Sequence, residues 1–113
     1  MSGLDHGPIG AAPLSDEEAE ALARLLHALA DRTRVAIVGA LLHAPGGELH
    51  ARDLQELLGL RQPTASHHLR KLVRSGIVER EQRGPYAYYR VQGDAFARLR
   101  SIFSDGPASG PAR

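Results

Sequence analysis

Apolar residues recur at helical spacing from Ala19 to Ala30, at Ala19, Leu22, Ala23, Leu26, Leu29 and Ala30. This is the stripe of an amphipathic helix. Ser15-Asp16-Glu17-Glu18 precedes it and reads as a capping box, with Ser15 as N-cap and Glu18 three residues on. Asp31 is placed to cap a second helix from Arg32 to about Leu42, with Val35, Ile37, Val38, Leu41 and Leu42 apolar, and Ala44-Pro45-Gly46-Gly47 ends it. A short third helix is expected over Ala51–Leu58, closed by Gly59, and a fourth from near Pro63 to Ser75, closed by Gly76. The period then changes. Ile77–Glu81 and Tyr86–Val91 read as two short strands joined by Arg83-Gly84-Pro85, a hairpin. A last helix covers Asp94–Phe103, with Phe96, Leu99, Ile102 and Phe103 on one face.

Outside these elements the composition shifts. Residues 1–14 hold three Gly and two Pro without periodicity and read as a flexible arm. Residues 104–113 are rich in Gly, Pro, Ala and Ser and read as a disordered tail. That leaves one folded domain over 15–103, consistent with a chain of 113 residues. No apolar run is long enough to span a bilayer, and no signal-peptide pattern opens the chain, so a cytoplasmic protein is expected. The chain has no Cys, which removes disulfides, thiolate metal sites and thiol redox chemistry together. No phosphate loop, nucleophile elbow or His-Glu-x-x-His motif is present, so an enzyme is not expected.

Charge refines the picture. The net charge of +1 averages over opposed regions. Residues 1–58 carry four Arg against nine carboxylates, a net of −5. Residues 59–90 carry six Arg and Lys71 against Glu79 and Glu81, a net of +5. A basic block in a nearly neutral chain suits a local polyanion site. Helix, Gly-containing turn, helix and two-stranded hairpin is the order of a winged helix-turn-helix. The expected fold is therefore mainly α with a β-hairpin wing, in the order α-α-α-α-β-β-α.

In the fourth helix, Ala65, Leu69, Leu72 and Val73 share a face that should pack on Leu54, Leu57 and Leu58. Gln62, Thr64, Ser66, His67, Arg70, Lys71 and Arg74 are left facing out, with Arg61 and Pro63 at the helix start. Short polar side chains near a helix N-terminus suit base edges in a major groove, and the following Arg and Lys suit phosphates. Arg83 and Tyr86 at the hairpin tip are the matching wing candidates. A solvated helix without a ligand would show the same polar face. His67 fits either a DNA contact or plain solvent exposure. His68 lies toward the core and reads as a packed residue that orients the helix. His27 and His43 read as surface residues near helix ends.

Residues 25–91 resemble the ArsR/SmtB family of bacterial repressors. The matching stretches are ALADRTRVAIV (28–38), ELHARDLQELLGL (48–60), QPTASHHLRKLVRSGIVE (62–79) and RGPYAYYRV (83–91). The resemblance implies a homodimer that binds an imperfect palindrome in double-stranded promoter DNA. It places dimer contacts on the first and last helices, here Leu22, Leu26, Phe96, Leu99 and Phe103. In many members a metal releases the DNA. The family usually has Ser where Arg61 stands, so Arg61 forfeits a side-chain cap of about 1 kcal/mol and gains reach toward a phosphate.

The family's thiolate site has the context Glu-Leu-Cys-x-Cys-Asp-Leu. This chain reads Glu48-Leu49-His50-Ala51-Arg52-Asp53-Leu54. Thiolate sensing is therefore not expected. A His-rich site on the last helix is not expected either, because no His follows His68. His50 and Asp53, three apart, can share a helix face. Family members of this type complete the site from the N-terminal arm, where Asp5 and His6 stand here. Such a nitrogen/oxygen set suits nickel or zinc. Two readings stay open: His50, Asp53 and His6 as metal ligands, or His50 as a surface residue and His6 as an unstructured one. Without a metal effector, the repressor would answer to another signal or to a second regulatory protein.

Overall fold

The computed structural model describes residues 14–104. Five helices and three strands follow in the order α1 (Asp16–Leu29), α2 (Arg32–His43), β1 (Glu48–His50), α3 (Ala51–Leu58), α4 (Gln62–Ser75), β2 (Val78–Arg83), β3 (Tyr86–Val91) and α5 (Gly93–Ser104). Local chemistry sets most boundaries. Ser15 Oγ accepts from the Glu18 N–H and the Glu18 carboxylate accepts from the Ser15 N–H, both at 3.0 Å, which completes the capping box of α1. Asp31 caps α2 by accepting from the Arg34 N–H at 3.0 Å. Gly59 and Gly76 end α3 and α4 with φ of 66° and 88°, the left-handed geometry glycine adopts without cost.

The mainly helical fold with an antiparallel wing follows the expected order, with one addition. β1 joins the hairpin to make a three-stranded sheet in the order β1-β3-β2. It pairs Glu48 with Arg90, Leu49 with Tyr89 and His50 with Tyr88. The stretch between the expected helix terminator at Ala44–Gly47 and the helix start at Ala51 thus forms a strand, entered through a 3-10 turn at Pro45–Gly47. The hairpin itself turns more tightly than expected. Arg83 pairs with Tyr86, so Gly84-Pro85 alone makes the turn, with Gly84 at φ 60°.

Ile37, Leu41, Leu54, Leu72, Ile77 and Val78 are fully buried and form the centre of one core. Each such side chain contributes about 1.5–3 kcal/mol relative to exposure. Leu54 meets α4 as expected, and Leu58 packs at the core margin, but Leu57 is 63% exposed. On α3 the core takes the i and i+4 positions, and Leu57 falls on the far side. Val35 and Leu42 of α2 are also exposed. Among the described residues no helix is long and apolar enough to cross a membrane.

Candidate nucleic-acid interface

The turn between α3 and α4 is short and fixed. After Gly59, the Leu60 N–H donates to the Gln55 carbonyl at 2.9 Å, and Arg61 serves as N-cap of α4 without a side-chain cap bond. The forfeited cap is therefore real, and the Arg61 side chain stays exposed. Ala65, Leu69 and Leu72 bury one face of α4. The opposite face exposes Arg61, Gln62, Pro63, Thr64, His67, Arg70, Lys71 and Arg74, with Ser66 half-buried beside them. Gln62 Nε2 donates to Ser66 Oγ at 3.2 Å, so these two polar residues present one linked edge. Among the described residues, no ion pair engages Arg61, Arg70, Lys71 or Arg74. Four cations without carboxylate partners on one helix face make a surface of unneutralised positive charge.

The wing sorts its charges by the pleat. Side chains alternate between faces along a strand. Val78, Arg80 and Gln82 of β2 therefore share a face with Tyr89 of β3, and this face turns toward α4. Ser66, Leu69, Arg70, Val73, Arg80 and Tyr89 line a groove of about 220 Å³ between helix and wing. Arg80 is exposed and held by neutral partners, donating from Nε to Tyr89 Oη at 3.3 Å and from Nη2 to Gln82 Oε1 at 2.6 Å. The other face carries Glu79, Glu81, Arg83, Tyr86, Tyr88 and Arg90, with Glu48 and His50 of β1 alongside.

On that outer face the charges are tied up. Arg83 grips Glu48 with a two-pronged contact at 2.7 and 2.8 Å and also donates to Glu81 at 2.8 Å. Arg90 donates to Glu48 at 3.0 Å and Glu81 at 2.9 Å, and pairs with Glu79 at 3.5 Å. The Arg83 fork, with Arg90 beside it, holds the Glu48 carboxyl down at about 2, and Arg83 lowers Glu81 as well. Glu48, and then Glu81, hold Arg83 above the usual guanidinium range. Three carboxylates against two guanidiniums leave this face acidic. Arg83 also lies over the Tyr88 ring, 4.4 Å from its centroid. Any DNA contact by Arg83 has to compete with two ion pairs. The wing cation on the α4 side is Arg80, which the block-by-block charge count could not single out. Pleat alternation, applied to the hairpin, was the signal that could have found it.

The histidines separate clearly. His67 is exposed. His68 is largely covered and accepts at Nδ1 from Arg34 Nη1 at 3.1 Å, which bears out the reading of a packed residue. His43 donates from Nδ1 to the Gly39 carbonyl at 2.9 Å. His50 is the N-cap of α3, its Nδ1 accepting from the Arg52 N–H at 3.1 Å. Its ring packs edge-on against Tyr86 at 5.0 Å and Tyr88 at 5.5 Å. His50 and Asp53 line one open recess of about 240 Å³ with Arg52, Tyr86 and Tyr88. A neutral imidazole has one lone pair, and that of His50 is spent on the helix cap. Among the described residues no group of three or more His, Cys, Asp or Glu could hold a metal ion. Asp5 and His6 lie outside the described residues.

The residues assigned to a dimer contact are divided. Leu22 is buried in the core of its own chain, Phe96 packs at the core margin, and Leu26 is 47% exposed. The side chains of Leu99 and Phe103 lie outside the described residues.

Comparison with known proteins agrees with this architecture. Residues 29–81 match a family model described as a helix-turn-helix domain. The biofilm growth-associated repressor of Agrobacterium fabrum is 34% identical over 96 residues, covering 85% of this chain and 79% of the relative. A cadmium resistance transcriptional regulatory protein, a CadC homolog of Staphylococcus aureus, is 33% identical over 93 residues, covering 75% of each. Among solved structures, the homodimeric winged helix-turn-helix DNA-binding domain Mb0332 of Mycobacterium bovis superimposes with a TM-score of 0.64 at 31% identity, covering 84% of this chain and 91% of that one. With its unpaired basic helix, its wing and these relatives, the chain belongs to the ArsR/SmtB family of winged helix-turn-helix transcriptional repressors.

Proposed function

We propose that the chain represses transcription as a homodimer on a palindromic operator, with α4 of each subunit in successive major grooves about one helical turn apart. The observation that carries this reading is the exposed face of α4, whose four cations have no carboxylate partner among the described residues. Gln62, Thr64, Ser66 and His67 are the base-reading candidates, and Arg61, Arg70, Lys71 and Arg74 the phosphate candidates. In the wing, Arg80 is the first phosphate candidate, ahead of Arg83 and Tyr86. The dimer contact is assigned to α1 and α5. The exposed Leu26 supports it, as does a recess of about 440 Å³ lined by Leu14, Ser15, Glu17, Glu18, Ala21, Leu22 and Arg98. The test selects a duplex from a random library with the wild-type protein. Enrichment of an inverted repeat is expected, and Ser66→Ala with His67→Ala should erase its sequence preference. Enrichment of no sequence, or an unchanged preference in the double variant, refutes the reading face. A Leu99→Arg chain that still sediments as a dimer refutes the assigned contact.

Release of DNA by nickel or zinc is the finer reading. Its support is that His50 and Asp53 line one recess and that a relative is named for cadmium resistance. Ligation through His50 Nε2 requires the Nδ1–H tautomer, which gives up the cap on Arg52 at a cost of about 1 kcal/mol. The remaining ligands would have to come from residues 1–13. Calorimetric titration of wild type and His50→Ala with Ni²⁺ and Zn²⁺ tests it. Tight binding lost in the variant supports a site at the start of α3. No heat above background removes metal control, and the effector is then another signal or a protein partner.

A further inference from the structure

Arg34 and His68 make a side-chain contact across 34 positions of sequence, between the α1–α2 junction and the recognition helix. Arg34 acts on three elements at once. Its Nε donates to the Ala28 carbonyl at 2.6 Å, which satisfies a backbone acceptor at the end of α1. Its own N–H donates to Asp31 Oδ2 at the start of α2. Its Nη1 reaches His68 on α4 at 3.1 Å. A guanidinium has donors only, so His68 Nδ1 must be the acceptor, and the ring must be neutral with its proton on Nε2. Asp31 Oδ2 stands 3.8 Å from the same Nδ1.

We propose that His68 is a positioning residue for operator reading, holding the recognition helix to the α1–α2 junction through Arg34 only while its ring is neutral. Protonation at Nδ1 turns the acceptor into a donor. The Arg34 bond is then lost, and two cations face each other at contact distance. The new N–H turns toward Asp31 Oδ2, the oxygen that caps α2, so the change draws on the junction as well as on α4. DNA binding should therefore weaken in mildly acidic solution. The groups acting on His68 are Asp31 and Arg34 from the junction, and His67 and Lys71 from α4. Burial is the largest influence and lowers its titration, and Arg34, His67 and Lys71 lower it further against the opposing pull of Asp31. The neutral ring is thus the resting form at neutral pH.

This inference rests on α4 being the DNA-reading helix, so its test has one arm without DNA. Long-range proton–nitrogen spectra of the full chain at pH 7.5 should show His68 as the Nε2–H tautomer. It should titrate below 6.5, the ordinary value, and Arg34→Met should move that titration upward. An Nδ1–H or charged His68 at pH 7.5 overturns the contact whatever the protein binds. The second arm uses a labelled duplex of the sequence enriched by the wild type at pH 7.5. His68→Asn keeps an acceptor at the Nδ1 position and does not titrate. If only the neutral ring supports reading, an ordinary imidazole would lose about tenfold per subunit between pH 7.5 and 5.5, and a lowered one less. The wild type should therefore lose more affinity per subunit than His68→Asn, by up to about tenfold. Equal losses overturn the positioning role. Absence of any duplex binding by the wild type at pH 7.5 overturns the DNA reading, and this role with it, while the spectra still report on the contact.

Discussion

The two wing arginines give the sharpest test of the interface. Arg80 lies on the α4 side of the sheet with only neutral partners, whereas Arg83 is shared between Glu48 and Glu81. The perturbations are Arg80→Ala and Arg83→Ala, read as the slope of log affinity against log salt on a duplex. Each phosphate contact contributes about 0.9 to that slope. The proposed dimer carries two copies, so Arg80→Ala should flatten the slope by about 1.8. Between 50 and 200 mM salt that difference amounts to about twelvefold in affinity that the wild type loses and the variant does not. Arg83→Ala should leave the slope unchanged, because its charge is already matched within the wing. Fluorescence anisotropy across this salt range measures both. If Arg83→Ala flattens the slope as much as Arg80→Ala, or Arg80→Ala leaves it unaltered, the division of the wing into a free and a neutralised face is wrong.

Three further outcomes are expected. Leu54→Ala should destabilise the fold by about 2–5 kcal/mol in urea titration, because Leu54 is fully buried, whereas Leu57→Ala should stay within about 0.5 kcal/mol. Ser15→Ala should lower stability by about 1 kcal/mol in thermal melts, through loss of its half of the capping box. Glu48 titrates at about 2 in the fold against an ordinary 4.5, so the unfolded chain takes up its proton first as pH falls. Its stabilising contribution is complete above 4.5 and is lost as pH falls through about 2. Glu48→Gln should therefore show a shallower fall in urea midpoint over that window, and an equal fall would refute the assignment.

Much of the fold was legible because its signals are local. Ser15 and Glu18, Asp31, Gly59 and Gly76 each act within four residues of the boundary they set, and each boundary lies where the sequence places it. β1 was not legible for the opposite reason. Three residues show no alternation, and Glu48–His50 becomes a strand only by pairing with β3 some forty positions away. Leu57 shows the limit of apolar counting on an eight-residue helix, where a step of one residue, about 100° around the axis, decides which leucine meets the core. The polar face of α4 was legible as a surface, because helical period and charge agree there. The fate of Arg83 was hidden, because a charge total over residues 59–90 excludes Glu48, its closest partner. The lone pair of His50 was hidden too. Spacing places His50 and Asp53 together, but only geometry reveals that Nδ1 already caps a helix.

The groups that hold α4 and the wing in place are distinct from those proposed to meet DNA. His68 meets Arg34 on the covered side of α4, while Arg61, Arg70, Lys71 and Arg74 stand on the exposed side. Glu48 locks the outer face of the wing, while Arg80 lies on the inner one. This separation has a physical consequence. A group that touches phosphate releases counterions, so its removal changes the salt slope. A group that only orients a helix or a hairpin changes affinity by altering geometry and leaves the number of phosphates unchanged. Variants at Arg34 and His68 should therefore shift binding curves in parallel across salt concentrations, whereas variants at Arg70, Lys71, Arg74 and Arg80 should make them converge with the wild type at high salt.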